Sequence, residues 1–309
     1  MGADRKTIHR YAQLAKQVRR EHVLRSGRQL GGGSQGFLQR VTAADGTSLV
    51  LKVGATLEEV RAQVHAAAHG APVPSIMAFS EPDHGQPGWL LMEYVEVQSV
   101  SFRDDPLAPS PLQGRAERMA EPVLRLHACP EPEGMKHSLD WYADRMRTAG
   151  GLARRLGQKV PDEMLQEIFA RCSDQPLVLI HGDCSWQNVQ ERRDDGRYVL
   201  FDVSGFVGPA ASDFAEWSVS AAQWPPHLAP LVDELLAVGA VGEEALMPWL
   251  TLAIGSRGVE ESERDGGHRA VQWLRMFAEA VRLGDIRETF SYGVPLDVAM
   301  QMRLPNQKP

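Results

Sequence analysis

The chain has 309 residues, 43% of them hydrophobic and 24% charged, and carries a net charge of −7. That is enough for one large domain or two lobes with their own cores, and the balance excludes a disordered chain and argues against nucleic acid as the main partner. The three cysteines (Cys129, Cys172, Cys184) form neither a metal spacing nor a disulfide framework; no apolar run approaches the ~20 residues of a membrane span, and the first residues lack the apolar core of a secretory signal, so a cytoplasmic protein free of the membrane is expected.

Ile8, Tyr11, Leu14, Ala15 and Val18 recur at helical spacing among basic residues, which predicts a surface helix packed on the body. The stretch LGGGSQGFLQRV then leads to TAADGTSLVLKV, and the Asp45-Gly46 turn between two apolar runs predicts a hairpin. TLEEVRAQVHAAAHG reads as a helix capped by Thr56, with Glu58 and Glu59 in its first turn and Gly70 at its end. APVPSIMAFS is extended and GWLLMEYVEV is a strand. After the Pro- and Ser-rich SFRDDPLAPSPLQG the texture changes to helices, at roughly 114–128, 138–150, 161–172, 211–223, 227–239, 243–255 and 267–283, interrupted by one β island at 177–203. The organisation expected is α+β: a sheet-plus-helix lobe over residues 1–95 and a larger helical lobe over 96–309.

Gly31, Gly33 and Gly36, with Ser34 between them, satisfy G-x-G-x-x-G. A dinucleotide fold needs a helix directly after such glycines. Here Phe37 onward alternates into a hairpin, which disfavours a nicotinamide oxidoreductase and suits a glycine loop lying over nucleotide phosphates. Folding that hairpin at Asp45-Gly46 puts Lys52 opposite Leu38 or Gln39, just beyond the glycines. A lysine on a covered strand serves as a point charge for phosphates and needs a counter-charge of its own. Glu59 is the first candidate and Glu58 the second.

In LVLIHGDCSWQNV an apolar strand delivers His181-Gly182-Asp183, and Asn188 follows five residues later. The Asp194-Asp195-Gly196 turn splits the next segment so that a hairpin centred on Asp195 brings Asn188 beside Asp202. Amide and carboxylate oxygens suit Mg²⁺, with nucleotide phosphates and water completing the shell, and Asp183 remains free as a general base. Phosphate cradle, cation, metal ligands and base together are the parts of phosphoryl transfer. Cys184 lacks an activating base and is expected to be packed, and His181 to be structural.

These residues resemble the aminoglycoside phosphotransferase family of small-molecule kinases, which shares the bilobal protein-kinase-like fold. His181 to Asn188 matches the family's H-G-D-x4-N catalytic loop, and Asp202 in VLFDVSG matches its metal aspartate. GPAASDFA resembles the downstream stretch in which Asp213 steadies the catalytic loop, and VLRLHA, with His127, resembles the helix ending in Leu-His. LLMEYV resembles the hinge, with Met92 at the pocket wall and Glu93 to Val95 as the crossing that meets a purine by backbone groups. The resemblance covers roughly residues 25–220. The Asp202-to-Gly208 interval is one residue short, and Ser185-Trp186-Gln187 replaces the family's usual residues before Asn188.

The resemblance implies Mg²⁺-dependent transfer of the γ-phosphoryl group from ATP or GTP to a hydroxyl of a small molecule, by a monomer or weak dimer. Acceptor choice falls to the C-terminal helices. There Glu260, Glu261, Glu263 and Asp265 offer a cationic antibiotic an attractive field, or else line a solvated loop between helices, and Trp186 either shapes the acceptor pocket or packs. Resistance by antibiotic phosphorylation is the first expectation and a metabolic kinase for an amino alcohol or sugar the second. A nucleotide-binding pseudokinase scaffold would lack one of Asp183, Asn188 and Asp202, and all three are present.

Overall fold

The computed structural model describes residues 5–30, 36–101, 110–132, 134–264 and 267–291. Helix α1 (Arg5–Glu21) precedes an antiparallel sheet made of β1 (Arg25–Gln29), β2 (Phe37–Thr42), β3 (Ser48–Ala55), β4 (Ile76–Ser80) and β5 (Gly88–Glu93), in the spatial order β1-β2-β3-β5-β4. Helix α2 (Leu57–Ala68) connects β3 to β4. Strand β3 is apolar on both faces because both are covered. Ala15 and Val18 of α1 pack on Leu49, Leu51 and Val53, while Val60 of α2 packs with Val50, Leu90 and Met92. The side-chain alternation of a strand therefore puts Lys52 on the α2 face. The expected hairpin is present, with Leu38 opposite Lys52.

Strand β5 ends at Glu93, where the chain leaves the sheet, so the strand is shorter than the apolar run suggests. Beyond it come α3 (Ala116–His127), β6 (Lys136–His137), α4 (Ser138–Arg155), α5 (Asp162–Ser173), β7 (Leu177–Ile180), β8 (Val189–Glu191), β9 (Tyr198–Leu200) and β10 (Phe206–Pro209). They are followed by α6 (Ala211–Ala222), α7 (Leu228–Ala237), α8 (Glu243–Arg264), α9 (His268–Leu283) and α10 (Ile286–Ser291). One large core, with Trp217, Trp249, Trp273, Phe214 and Phe277 fully buried, holds these helices together.

Other elements also depart from the sequence reading. The β island extends past residue 203, because β10 pairs antiparallel with β7 and parallel with β6; four residues ending in proline give too short a pattern to read. Helix α8 runs on to Arg264, so Glu260, Glu261 and Glu263 lie on a helix and not in a loop between helices. Arginines reward that continuation: Arg257 pairs with Glu261 at 2.7 Å and with Glu260 at 3.4 Å, one turn along.

Candidate active site

Thr56 caps α2 by accepting from the Glu59 N–H, which fixes where the first turn points its carboxylates. Glu59 faces the sheet and ion-pairs with Lys52 Nζ. Glu58, about 100° round the helix, turns away and meets Lys136 Nζ at 2.8 Å instead. Lys52 is only 7% exposed, and its Nζ also lies 2.9 Å from Asp202 Oδ1. Burial alone would favour the neutral amine; the Asp202 and Glu59 carboxylates outweigh it and hold the ammonium above its ordinary pKa. Gly36 enters β2 beside the Lys52 side chain. Gly31, Gly33 and Ser34 lie outside the described residues, and so does Asp265.

At the crossing, Met92 is buried against the sheet. The Glu93 carboxylate accepts from Arg192 at 2.7 Å and from Ser75 at 3.3 Å. The chain beyond is laced to the β8 end, with Arg193 N–H donating to Glu96 O at 2.8 Å and Gln98 N–H to Glu191 O at 2.8 Å. Val95 lies between these ties, and its backbone N–H and C=O make no hydrogen bond to the described residues. That leaves a donor and an acceptor for the edge of a planar base.

The catalytic loop hangs from one carboxylate. Asp213, in the first turn of α6, accepts from the backbone N–H of His181 at 2.7 Å and of Gly182 at 3.1 Å, and from His127 Nε2 at 2.9 Å. Burial would raise the Asp213 pKa, but the His127 and His181 bonds prevail and hold it low. His181 is fully buried; its Nε2 bonds to Phe201 O at 2.7 Å and its Nδ1 accepts from the Asp183 N–H at 3.3 Å. Asp183 itself is open to the cleft. Asn188 Nδ2 donates to Asp183 Oδ2 at 3.0 Å and to Asp183 O at 2.9 Å. Burial of the loop, and then the negative charges of Glu260 and Asp202, raise the Asp183 pKa against His181 and Asn188. Raised proton affinity in a carboxylate facing a cleft suits a general base.

The β8–β9 hairpin sits one residue out of the expected register: Val189 opposes Leu200, and Phe201, not Asp202, lies beside Asn188 with its N–H on Asn188 O at 2.8 Å. Asp202 reaches the cleft by a backbone kink, at φ +56°. Aspartate tolerates that left-handed conformation better than most residues. The segment that follows wedges against α2: Val203 N–H donates to Gln63 Oε1 at 3.1 Å, and Gly205, at φ +80°, lies where a Cβ would come 2.5 Å from Glu58 O.

Among the described residues no group of three or more His, Cys, Asp or Glu is placed to hold a metal. The donors that fit a divalent ion are Asn188, whose Oδ1 is left free when Nδ2 bonds Asp183, and the Asp202 carboxylate. Both are hard oxygens, and two such ligands suffice where phosphates and water supply the rest.

The helical wall of the cleft is acidic but mostly neutralised. Arg145 of α4 lies 3.6 Å from Glu260 and 3.2 Å from Glu263, and Glu261 is buried against Arg257. Glu260 is the α8 acid whose charge reaches Asp183. The Trp186 N–H donates to Ser220 Oγ at 2.8 Å, and its ring is partly buried against the core. Cys184 is fully buried, and burial pushes its thiol well above the ordinary value, so it is an inert packed residue. Sequence reasoning missed Glu216. It lies three residues after Asp213 on the same face of α6, a spacing that marks it as a neighbour of the catalytic loop.

Fold and site define a small-molecule phosphotransferase of protein-kinase-like build. The sequence model of the phosphotransferase enzyme family matches residues 27–249, and the chain belongs to that family. It is an enzyme that moves a phosphoryl group to the hydroxyl of a small molecule. No curated protein matches the chain significantly. Several solved structures share its fold. Amicoumacin kinase hAmiN, in complex with AMP-PNP, Ca²⁺ and Ami, aligns over 92% of this chain and 97% of its own, at 11% identity and TM-score 0.59. An aminoglycoside phosphotransferase from Alicyclobacillus acidocaldarius aligns over 86% and 93%, at 14% identity and TM-score 0.53. A choline kinase from Cryptosporidium parvum aligns over 93% and 99%, at 11% identity and TM-score 0.53.

Proposed function

We propose that the protein is a Mg²⁺-dependent kinase that transfers the γ-phosphoryl group of ATP or GTP to a hydroxyl of a cationic small molecule. An antibiotic of aminoglycoside type is the first candidate and an amino alcohol or sugar the second. The observation that carries this reading is a run of bonds joining three stretches of chain: Asn188 Nδ2 to Asp183 Oδ2 at 3.0 Å within the loop, Phe201 N–H to Asn188 O at 2.8 Å, and Lys52 Nζ to Asp202 Oδ1 at 2.9 Å. They support a reading in which a free carboxylate, two hard oxygen ligands and a fixed ammonium face one cleft.

In this reading residues 1–95 grip the nucleotide. Gly31, Gly33, Ser34 and Gly36 cover the phosphates, and Lys52, oriented by Glu59, neutralises them. Met92 walls the base, and the crossing from Glu93 to Val95 meets its edge with backbone groups. Asn188 and Asp202 hold the divalent ion, which when bound neutralises charge on the phosphates. Residues 96–309 supply the chemistry and the acceptor. Asp183 accepts the proton of the attacking hydroxyl and orients its oxygen, while Asp213, through His181 and Gly182, keeps the loop in place.

A cationic acceptor is favoured by the wall it meets. Glu260 acts on Asp183 from α8, and Glu216 stands beside them without an ion-pair partner among the described residues. Relatives of this fold are named for amicoumacin, aminoglycosides and choline. All three α8 glutamates have arginine partners, but Glu260 is the one whose charge reaches Asp183, so Glu260 is the α8 residue we assign to the acceptor, with Trp186 at the rim. We assign the protein to the cytoplasm, as a monomer or weak dimer.

The test is Mg²⁺-dependent ATP and GTP consumption against a panel of aminoglycosides, other basic antibiotics, amino sugars, choline and homoserine. Consumption stimulated by an amine-bearing alcohol, with the phosphate recovered on its oxygen, is the expected result. A panel without any acceptor-stimulated consumption overturns the reading.

A further inference from the structure

We propose that the cavity between α4 and α6 is a subsite for a protonated amine of the acceptor, with Glu216 as its counter-charge. The inference rests on the kinase reading above and adds to it the residue that reads the acceptor's charge.

The cavity opens beside the catalytic loop and measures about 280 Å³ with its mouth. Ser138, Trp141 and Tyr142 of α4, Gly182 of the loop, and Asp213 and Glu216 of α6 line it. The space within it that takes a water-sized group is about 10 Å³, enough for one such group, which is the size of an ammonium and too small for a ring. Three observations say what belongs there. Ser138 is 5% exposed and its hydroxyl has no hydrogen-bond partner among the described residues, and Gly208 opposite it is a position where a Cβ would fall on that hydroxyl. A buried acceptor atom left unpaired is costly unless a ligand donates to it. Second, among the described residues Glu216 accepts only the Tyr142 hydroxyl, at 3.2 Å, and ion-pairs with no cation, while its neighbours Glu260, Glu261 and Glu263 all have arginines. Third, Trp141 is 43% exposed at the rim, and the Arg145 guanidinium already lies over its ring at 5.4 Å from the centroid, so the mouth is a place where a cation meets an aromatic ring.

The charges facing Glu216 are mostly of its own sign. Asp183 comes from the catalytic loop, Glu260 and the opposing Arg257 from α8, the Tyr142 phenol from α4 and Asp213 from its own helix. On the far flank of α6, α7 carries Asp233 and Glu234, which are taken by Arg287 and by the Gly114 N–H. Burial first, then Glu260 and Asp183, push the Glu216 carboxyl up to about 8. The empty pocket therefore holds a proton at neutral pH. An arriving ammonium takes that proton's place: the carboxyl releases one H⁺ to solvent and the amine keeps its own, so charge and atoms balance. Acceptor binding then tightens as pH rises toward 8, by at most about tenfold per pH unit.

The experiment measures KM and kcat between pH 6 and 9 for ethanolamine with its neutral analogue 1-propanol, for glucosamine with glucose and for kanamycin. The enzymes are wild type, Glu216→Gln and Ser138→Ala, with Mg·ATP binding followed in parallel. Support consists of an amine substrate whose KM falls from pH 6 to 8 in wild type and rises about tenfold in Glu216→Gln, where that pH dependence vanishes. The KM effect exceeds the kcat effect, and the Asp183 limb of the rate profile persists. Ser138→Ala raises KM in the same sense by less, and answers if Glu216→Gln fails to fold. Preference for neutral alcohols, an amine KM indifferent to Glu216→Gln, or phosphorylated amines with pH-independent KM overturns the subsite while leaving the kinase intact. Absence of Mg·ATP binding and of any transfer in wild type overturns both.

Discussion

The two walls of the cleft handle charge in opposite ways. On the sheet side every buried charge is matched, with Lys52 between Glu59 and Asp202. On the helical side Arg145 and Arg257 satisfy the α8 acids, but Glu216 and Asp183 remain without a cation of their own among the described residues. A paired wall is rigid and ready for a ligand that brings its own phosphates and metal. A wall with surplus carboxylate is incomplete until a cation arrives, and incompleteness of that kind is a form of selectivity.

The comparison breaks most visibly at Asp202. Asp202→Asn weakens the bond to Lys52 and removes the carboxylate assigned above to the metal, and is expected to abolish Mg²⁺-dependent nucleotide binding in calorimetric titration; unchanged affinity for Mg·ATP contradicts the assignment. Asp213→Asn removes a charged acceptor from two backbone N–H groups and His127. Hydrogen bonds to charged groups are worth about 1.5–3 kcal/mol each, so a loss of at least that size in urea unfolding, with a matching fall in kcat, is expected. Gly205→Ala forces a side chain into a left-handed conformation against Glu58 O and is expected to cost about 1–3 kcal/mol, again read by denaturation.

The helical wall has a pH signature of its own. Glu216 has a pKa near 8 in the fold against 4.5 in an unstructured chain. Below pH 4.5 it is protonated in both states and contributes no penalty. Between 4.5 and 8 only the unfolded chain releases the proton, so stability falls as pH rises through that window. Glu216→Gln is expected to flatten that slope in a series of melting temperatures. The smallest effect belongs to the hinge. Arg192→Ala removes a partly exposed pair with Glu93, worth about 0.2–1 kcal/mol, and should loosen nucleotide binding by a few-fold at most.

The sequence carried the parts whose signals are local. The Asp45-Gly46 turn gave the β2–β3 register that puts Lys52 opposite Leu38, and Thr56 announced the helix start that points Glu59 at Lys52. The candidate catalytic loop was legible because a histidine, an aspartate and an asparagine stand at fixed spacing. What failed was whatever depends on a three-dimensional count. The β8–β9 hairpin slipped by one residue because its turn is longer than the midpoint rule assumes, and only the left-handed kink at Asp202 restores the side chain to the cleft. The α8 acids read as a loop because their arginine partners include Arg145, on a different helix. Glu216 was invisible because its meaning lies in the cation it lacks, and pattern in one dimension does not record a missing partner.

The central claim is that Asp183 takes the acceptor's proton in a nucleotide cleft built by Lys52, Asn188 and Asp202. Its most direct measurement is single-turnover transfer from radiolabelled ATP in wild type and Asp183→Asn, with Mg·ATP affinity determined on the same samples. The account expects nucleotide affinity to survive and transfer to drop by about 10²–10⁴. Equal transfer in the two proteins would contradict it.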